Sequence, residues 1–161
     1  MIRPLRVSDL PTASAICRRA FGTFVGARDP DLFWADREYV RTRWLADPGS
    51  GLAAELNGSL VGSNLATRWG SFGFFGPLTV EPALWNQGIA RRLLAATMDL
   101  LDAWQLKDAA LFTFAHSPRH IHLYQKFGFW PRFLTAVLSK SPTEHPGVNV
   151  PSKRPRPKGN P

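Results

Sequence analysis

Pro77-Leu78-Thr79-Val80-Glu81-Pro82-Ala83-Leu84-Trp85-Asn86-Gln87-Gly88-Ile89-Ala90-Arg91-Arg92-Leu93-Leu94 reads as a strand, a sharp turn bounded by Pro82 and Gly88, and a helix. Leu78 and Val80 lie two apart and continue the apolar positions Phe72, Phe74 and Phe75. Together they predict one mostly buried strand. Pro82 has no N–H to give to a ladder, so the strand ends beside it. Ile89, Leu93, Thr97, Leu100, Leu101 and Trp104 then keep one face of a helix toward a core. Gly88 stands where that helix opens, and without a Cβ it lets a ligand approach its amide closely. The first N–H groups of a helix lack internal partners and carry the positive end of its dipole. Arg91 and Arg92 sit in this first turn, where cations are disfavoured, which implies a compensating anion. The stretch therefore reads as a main-chain site for phosphate or pyrophosphate. An ordinary strand-turn-helix with solvated arginines is the alternative, because a single glycine turn is a weak motif.

The chain has 161 residues, enough for one domain with a sizeable core, and a hydrophobic fraction of 44%. No apolar run approaches the roughly 18 residues of a membrane span, so no membrane partner is expected. Met1-Ile2-Arg3-Pro4-Leu5-Arg6 lacks the apolar centre of a signal peptide, and a cytoplasmic location is the expectation. Cys17 is the single cysteine, so no internal disulfide forms. It falls on an apolar stripe and reads as a core residue, not a nucleophile.

The net charge is +8, and the stretch Pro151 to Pro161 holds four cations and no acid. That stretch is too rich in Pro to build a core. Residues 1–140 are therefore expected to form the domain and 141–161 a basic, Pro-rich, disordered tail. A tail that binds nucleic acid predicts affinity that collapses with salt and disappears on truncation near Pro151. A solvated tail is the reading adopted, and a nucleic-acid partner is not expected.

Along the chain, Leu5 to Val7 predicts a short strand. Ser8 or Asp9 caps a helix with Pro11 in its first turn and Ala13, Ile16, Cys17, Ala20, Phe21 and Phe24 on its buried stripe. A second helix is predicted over 32–45, ended by Asp47-Pro48-Gly49. Strands at 51–55 and 60–67 are joined at Asn57-Gly58, a hairpin signal. Ala109 to Ala115 predicts a buried strand. Ser117 caps a helix with Pro118 at its first position, Ile121, Leu123, Tyr124 and Phe127 on its apolar face, and Gly128 closing it. Phe133 to Leu138 is the last predicted strand. The order β-α-α-β-β-β-α-β-α-β implies a mixed sheet with helices on both faces.

This order and three of its motifs resemble the GNAT family of N-acetyltransferases, over nearly everything from Ile2 to Lys140. The acyl-CoA signature of that family is a strand ending Val-x-Pro, then Arg/Gln-x-x-Gly-x-Gly/Ala opening a helix. Here Val80-Glu81-Pro82 is followed by Trp85-Asn86-Gln87-Gly88-Ile89-Ala90. Gly88 and Ala90 match; Trp85 departs from the Arg/Gln position, with Gln87 beside it. The second signature, Leu-Tyr-x-Lys-x-Gly-Phe, reads Leu123-Tyr124-Gln125-Lys126-Phe127-Gly128-Phe129. Ser117 stands where the family usually has Asn. Ala54 to Gly62 looks like the second and third strands.

The resemblance implies an α/β fold with a GNAT-like mixed, mostly antiparallel sheet, helices on both faces and splayed central strands. It implies transfer of an acetyl group from acetyl-CoA, a co-substrate, to an amine of a small molecule or protein. The pantetheine arm would lie between the strands ending at Val80 and Ala115. It would pair with the main chain of Leu78 and Val80, and the Val80 amide would face the thioester carbonyl. Trp85, Asn86, Gln87, Gly88, Ile89, Ala90, Arg91 and Ser117 complete the expected acetyl-CoA site. Tyr124 takes the position of the general acid for the leaving thiolate.

Trp69 to Val80 holds no carboxylate to serve as base, and Glu81 reads as facing solvent. His116, at the end of a strand, is the candidate, against a loop histidine bound to backbone or a water with no dedicated base. His116, His120 and His122 do not converge for a metal, so none is expected. Asp29 and Asp31 sit in the loop that sets acceptor choice in the family, where they would attract a cationic amine or simply be solvated. Trp34, Trp44, Trp69 and Trp130 either line an acceptor pocket or fill the core. The family's further last strand has at most Val148-Asn149-Val150 here. Either it is vestigial or a second copy completes the edge as a homodimer. A non-catalytic acyl-CoA sensor is the alternative function, favoured by the missing carboxylate and Trp85 and opposed by Tyr124.

Overall fold

The computed structural model describes residues 1–133. Its elements are β1 (Ile2–Pro4), α1 (Leu10–Val25), α2 (Tyr39–Ala46), β2 (Gly51–Leu56), β3 (Ser59–Trp69), β4 (Phe72–Phe75), β5 (Thr79–Val80), α3 (Ile89–Ala103), β6 (Asp108–Ala110) and α4 (Pro118–Gln125). The sheet runs β1-β2-β3-β4-β6, with β5 paired to β3 beyond the end of β4. Every pair is antiparallel except β4 with β6. One sheet face packs on α1 and α2 through Leu5, Leu10, Cys17, Val40, Ala53 and Leu65. The other packs on α3 through Ala54, Val61, Val80, Ile89 and Leu93, and farther along through Ala66, Phe75, Leu94 and Leu101. Thr97 is buried on the α3 stripe without penalty. Its hydroxyl receives the Asn64 amide at 2.7 Å and donates to the Leu93 carbonyl at 2.8 Å.

The hairpin forms at Asn57-Gly58, both with positive φ, as the twist of two paired strands demands. Pro11 sits in the first turn of α1 and Gly26 ends that helix. Four predicted boundaries move. The first strand lies at Ile2–Pro4, not 5–7. Asp9 accepts the Arg6 N–H at 2.8 Å and closes a 3-10 turn over Val7–Asp9, so the chain leaves the sheet after Leu5. The second helix starts only at Tyr39. Asp29 accepts the Asp31 N–H, and Trp34 adopts φ 55 to pack on Phe21, Phe33 and Tyr39 with ring centroids 4.5–5.1 Å apart. Those aromatic contacts replace the helical turn that the residues 32–38 would have made.

The single strand predicted across Phe72 to Val80 is two. Phe75 pairs Ala66 and Thr79 pairs Ser63. Between those pairs β3 has Asn64 and Leu65, while the other strand has Gly76, Pro77 and Leu78. The extra residue is a bulge, made where Gly76 takes φ 128 and Pro77 has no N–H. Finally, the strand predicted at 109–115 stops at Ala110 and is half-buried, with Phe112 75% exposed. The predicted strand at 133–138, the segment Val148–Val150 and the basic tail lie outside the described residues, apart from Phe133 itself.

Candidate active site

The bulge opens the sheet. β4 stays beside β6 from Phe72↔Asp108 to Phe74↔Ala110, but β5 pairs only with β3. A cleft of about 510 Å³ occupies the gap, between Leu78, Thr79 and Val80 on one side and Phe112, Thr113 and Phe114 on the other. Glu81 donates its N–H to Val61 at 2.9 Å. The alternation of an antiparallel ladder then turns the N–H and C=O of Val80 away from β3, toward the cleft. The indole N–H of Trp85 takes that carbonyl at 2.8 Å. Trp85 is thus a fastener between the turn and β5, which explains how this position departs from Arg/Gln without loss of structure.

At one end of the cleft lies the start of α3. Asn86 and Gly88 both have positive φ, 68° and 75°. A Cβ on Gly88 would meet nothing within 4 Å, so backbone conformation is what requires glycine there. Asn86, Gly88, Ile89, Ala90 and Arg91 line the cleft, where the first N–H groups of α3 lack helical partners. Gln87 and Arg92 are exposed and not part of the lining.

α4 forms the opposite wall. Ser117 is buried, caps the helix by accepting the His120 N–H at 3.4 Å, and lines the cleft. Phe129 donates to the Tyr124 carbonyl and Gly128 to Gln125, a closure that fixes the helix end. Tyr124 lines the cleft, its ring 6.1 Å from Phe75, and burial pushes its phenol up to about 12. His120 is one helical turn before it and also lines the cleft. Burial, then the charges of Arg119 and His116, hold the His120 imidazole below its ordinary 6.5. Its ring packs on Phe24 at 4.9 Å. His116 is exposed, stacks on Phe24 at 5.6 Å and lies outside the lining. Among the described residues, no group of three His, Cys, Asp or Glu could hold a metal ion.

The structure therefore gathers Leu78, Val80, Trp85, Asn86, Gly88, Ile89, Ala90, Arg91, Ser117 and Tyr124 into one cleft and leaves His116 and Gln87 outside its lining. Sequence reasoning missed three features. His120 shares a helix face with Tyr124 at the i, i+4 spacing, a signal that was present. Thr79 and Ser63 oppose one another across β5 and β3, 3% and 0% exposed, and neither hydroxyl has a hydrogen-bond partner. Glu81, expected to face solvent, is instead held by Arg19 in a bidentate pair at 2.9 and 3.0 Å. The same guanidinium reaches Asp31 at 2.6 Å.

A sequence model of the acetyltransferase (GNAT) family matches residues 14–129. The chain belongs to that family. Its fold is that of solved GNAT structures. The ribosomal-protein-S18-alanine N-acetyltransferase from Escherichia coli is 23% identical, with a TM-score of 0.60 over 80% of this chain and 76% of that one. A GNAT family acetyltransferase from Brucella melitensis, solved with acetyl-CoA, is 19% identical at TM-score 0.60 over 81% and 82%. The PaiA N-acetyltransferase from Thermoplasma acidophilum, solved with coenzyme A, is 17% identical at TM-score 0.59 over 79% and 87%. No curated protein matches this GNAT sequence with significance. No helix among its described residues is long and apolar enough to cross a membrane.

Proposed function

We propose that the protein transfers an acetyl group from acetyl-CoA directly to an amine. One observation carries this reading: the gap beside β5 joins the open N-terminus of α3 to the Tyr124 phenol in a single cleft. The Brucella structure solved with acetyl-CoA and the Thermoplasma structure solved with coenzyme A support the choice of substrate. The amides of Gly88, Ile89 and Ala90, with Arg91 beside them, would hold the pyrophosphate. Asn86 shapes that turn, Gln87 flanks it, and Ser117 meets the substrate from α4. The Leu78 main chain would pair with pantetheine amides. The Val80 N–H would receive the thioester oxygen as negative charge develops on it.

Tyr124 keeps its proton at neutral pH and is the group to give it to the departing thiolate. His116 was the candidate base, but it stacks at the rim. His120 lines the cleft and is held neutral, so we assign the proton acceptor to His120. The absence of Asp and Glu from the described lining is what favours an acyl-CoA sensor. A sensor has no use for a phenol with a raised pKa.

Calorimetric titration with acetyl-CoA, followed by thiol release over a panel of amines, tests the reading. Binding with amine-dependent release supports transfer. Binding without release across the panel favours the sensor. No binding removes both.

A further inference from the structure

The two walls of the cleft differ in chemistry. α3 presents Arg91, and α4 with its C-cap presents Arg119 and Lys126, all three exposed. α1 and the segment after β6 present Phe21, Phe24, Phe112 and Phe114, with the Phe114 ring 4.7 Å from Phe24 and 6.1 Å from Phe21. Among the described residues no carboxylate lines the cleft. The loop carboxylates suited to attracting a cation are already engaged. Asp31 binds Arg19, Asp29 accepts the Asp31 N–H, and Glu81 binds the same arginine. A polyamine or lysine-rich peptide would find no carboxylate in the described lining to replace the water its several ammonium groups give up. An aromatic ring would bury apolar surface against the phenylalanines instead. At the β5 side, the Thr79 hydroxyl is buried and unpartnered, beside the equally unpartnered Ser63. Such a hydroxyl can accept an N–H from an amine.

We propose that the acceptor is a primary amine carrying an aromatic ring and reacting as its free base. Its ring packs on Phe21, Phe24 and Phe114, and its amino group donates to the Thr79 hydroxyl. This rests on the acetyl-transfer reading. In the step, the amine nitrogen bonds to the acetyl carbon and the carbon–sulfur bond breaks. The nitrogen releases one proton and the thiolate takes up one, leaving the amide and free coenzyme A.

Thiol release by the full chain at saturating acetyl-CoA tests it, with 2-phenylethylamine and aniline against spermidine and a lysine-rich peptide. The better ring-bearing amine should exceed both polycationic probes in kcat/KM by about tenfold or more. Phe114→Ala should raise its KM about tenfold, and Thr79→Val should lower its kcat/KM, while calorimetric affinity for acetyl-CoA holds in both variants. Preference for spermidine or the peptide, or an unmoved KM in Phe114→Ala, overturns the proposal. If no amine releases thiol, 2-phenylethylamine is titrated into the acetyl-CoA complex. Binding that Phe114→Ala weakens supports the aromatic wall; no binding overturns the acceptor class alone. Failure to bind acetyl-CoA overturns the parent reading and this one with it.

Discussion

Burial acts on Tyr124 and His120 in opposite directions, and each shift suits a role. The phenol is pushed up to about 12 and stays protonated; the imidazole is pushed below 6.5 and stays neutral. Tyr124→Phe should lower turnover about a hundredfold while leaving acetyl-CoA affinity intact by calorimetry. With His120 as proton acceptor and aniline, already neutral in this range, as the amine, kcat/KM should rise with pH through a value below 6.5 and then level off. His120→Gln should abolish that limb. The same imidazole costs stability in acid. Between its lowered folded value and 6.5 the unfolded chain binds the extra proton, so stability falls as pH drops through that window. Cys17 is 4% exposed with its thiol pushed up to about 12. A thiol reagent should leave it untouched in the native protein and titrate one thiol after denaturation. At this scale Tyr124 was legible because Leu-Tyr-x-Lys-x-Gly-Phe marks it. The unpartnered hydroxyl of Thr79 was not, because a missing hydrogen bond depends on which residue folds opposite.

Among the elements, α3, α4 and the β2–β3 hairpin were readable, since local chemistry sets their ends: Gly88, Ser117 and Asn57-Gly58. The break between β4 and β5 was not. The run from Phe72 to Val80 has a continuous apolar pattern, and only the register against β3 exposes the extra residue. Likewise α2 loses its first turn to aromatic contacts with α1, which no helical periodicity encodes. The Arg19 fork also joins segments distant in sequence, the α1–α2 loop and the β5–α3 turn. Its groups are partly exposed, at 34% for Arg19 and 26% for Glu81. Arg19→Ala should therefore cost about 1 kcal/mol in denaturant unfolding, less in high salt. Gly88→Ala forces a side chain to φ 75 and should cost a similar amount, about 1 kcal/mol, with a weaker hold on acetyl-CoA.

For the molecule as a whole, the layered α/β architecture followed from the order of elements, and the residues of the GNAT motifs fall together around one cleft. A homodimer in which a second copy supplies the family's further last strand predicts twice the monomer mass in gel filtration at micromolar concentration; the monomer mass removes it. The sheet itself is a ladder with rungs left out. Among the described residues, β5 has a neighbour on one side and, past the bulge, none on the other. On the proposed geometry the pantetheine amides fill those rungs, so the substrate serves as a strand that the polypeptide does not supply. Hydrogen exchange at Val80 should then slow on adding acetyl-CoA more than exchange at Phe74, which β6 already flanks. Each catalytic cycle would complete the sheet and undo it again.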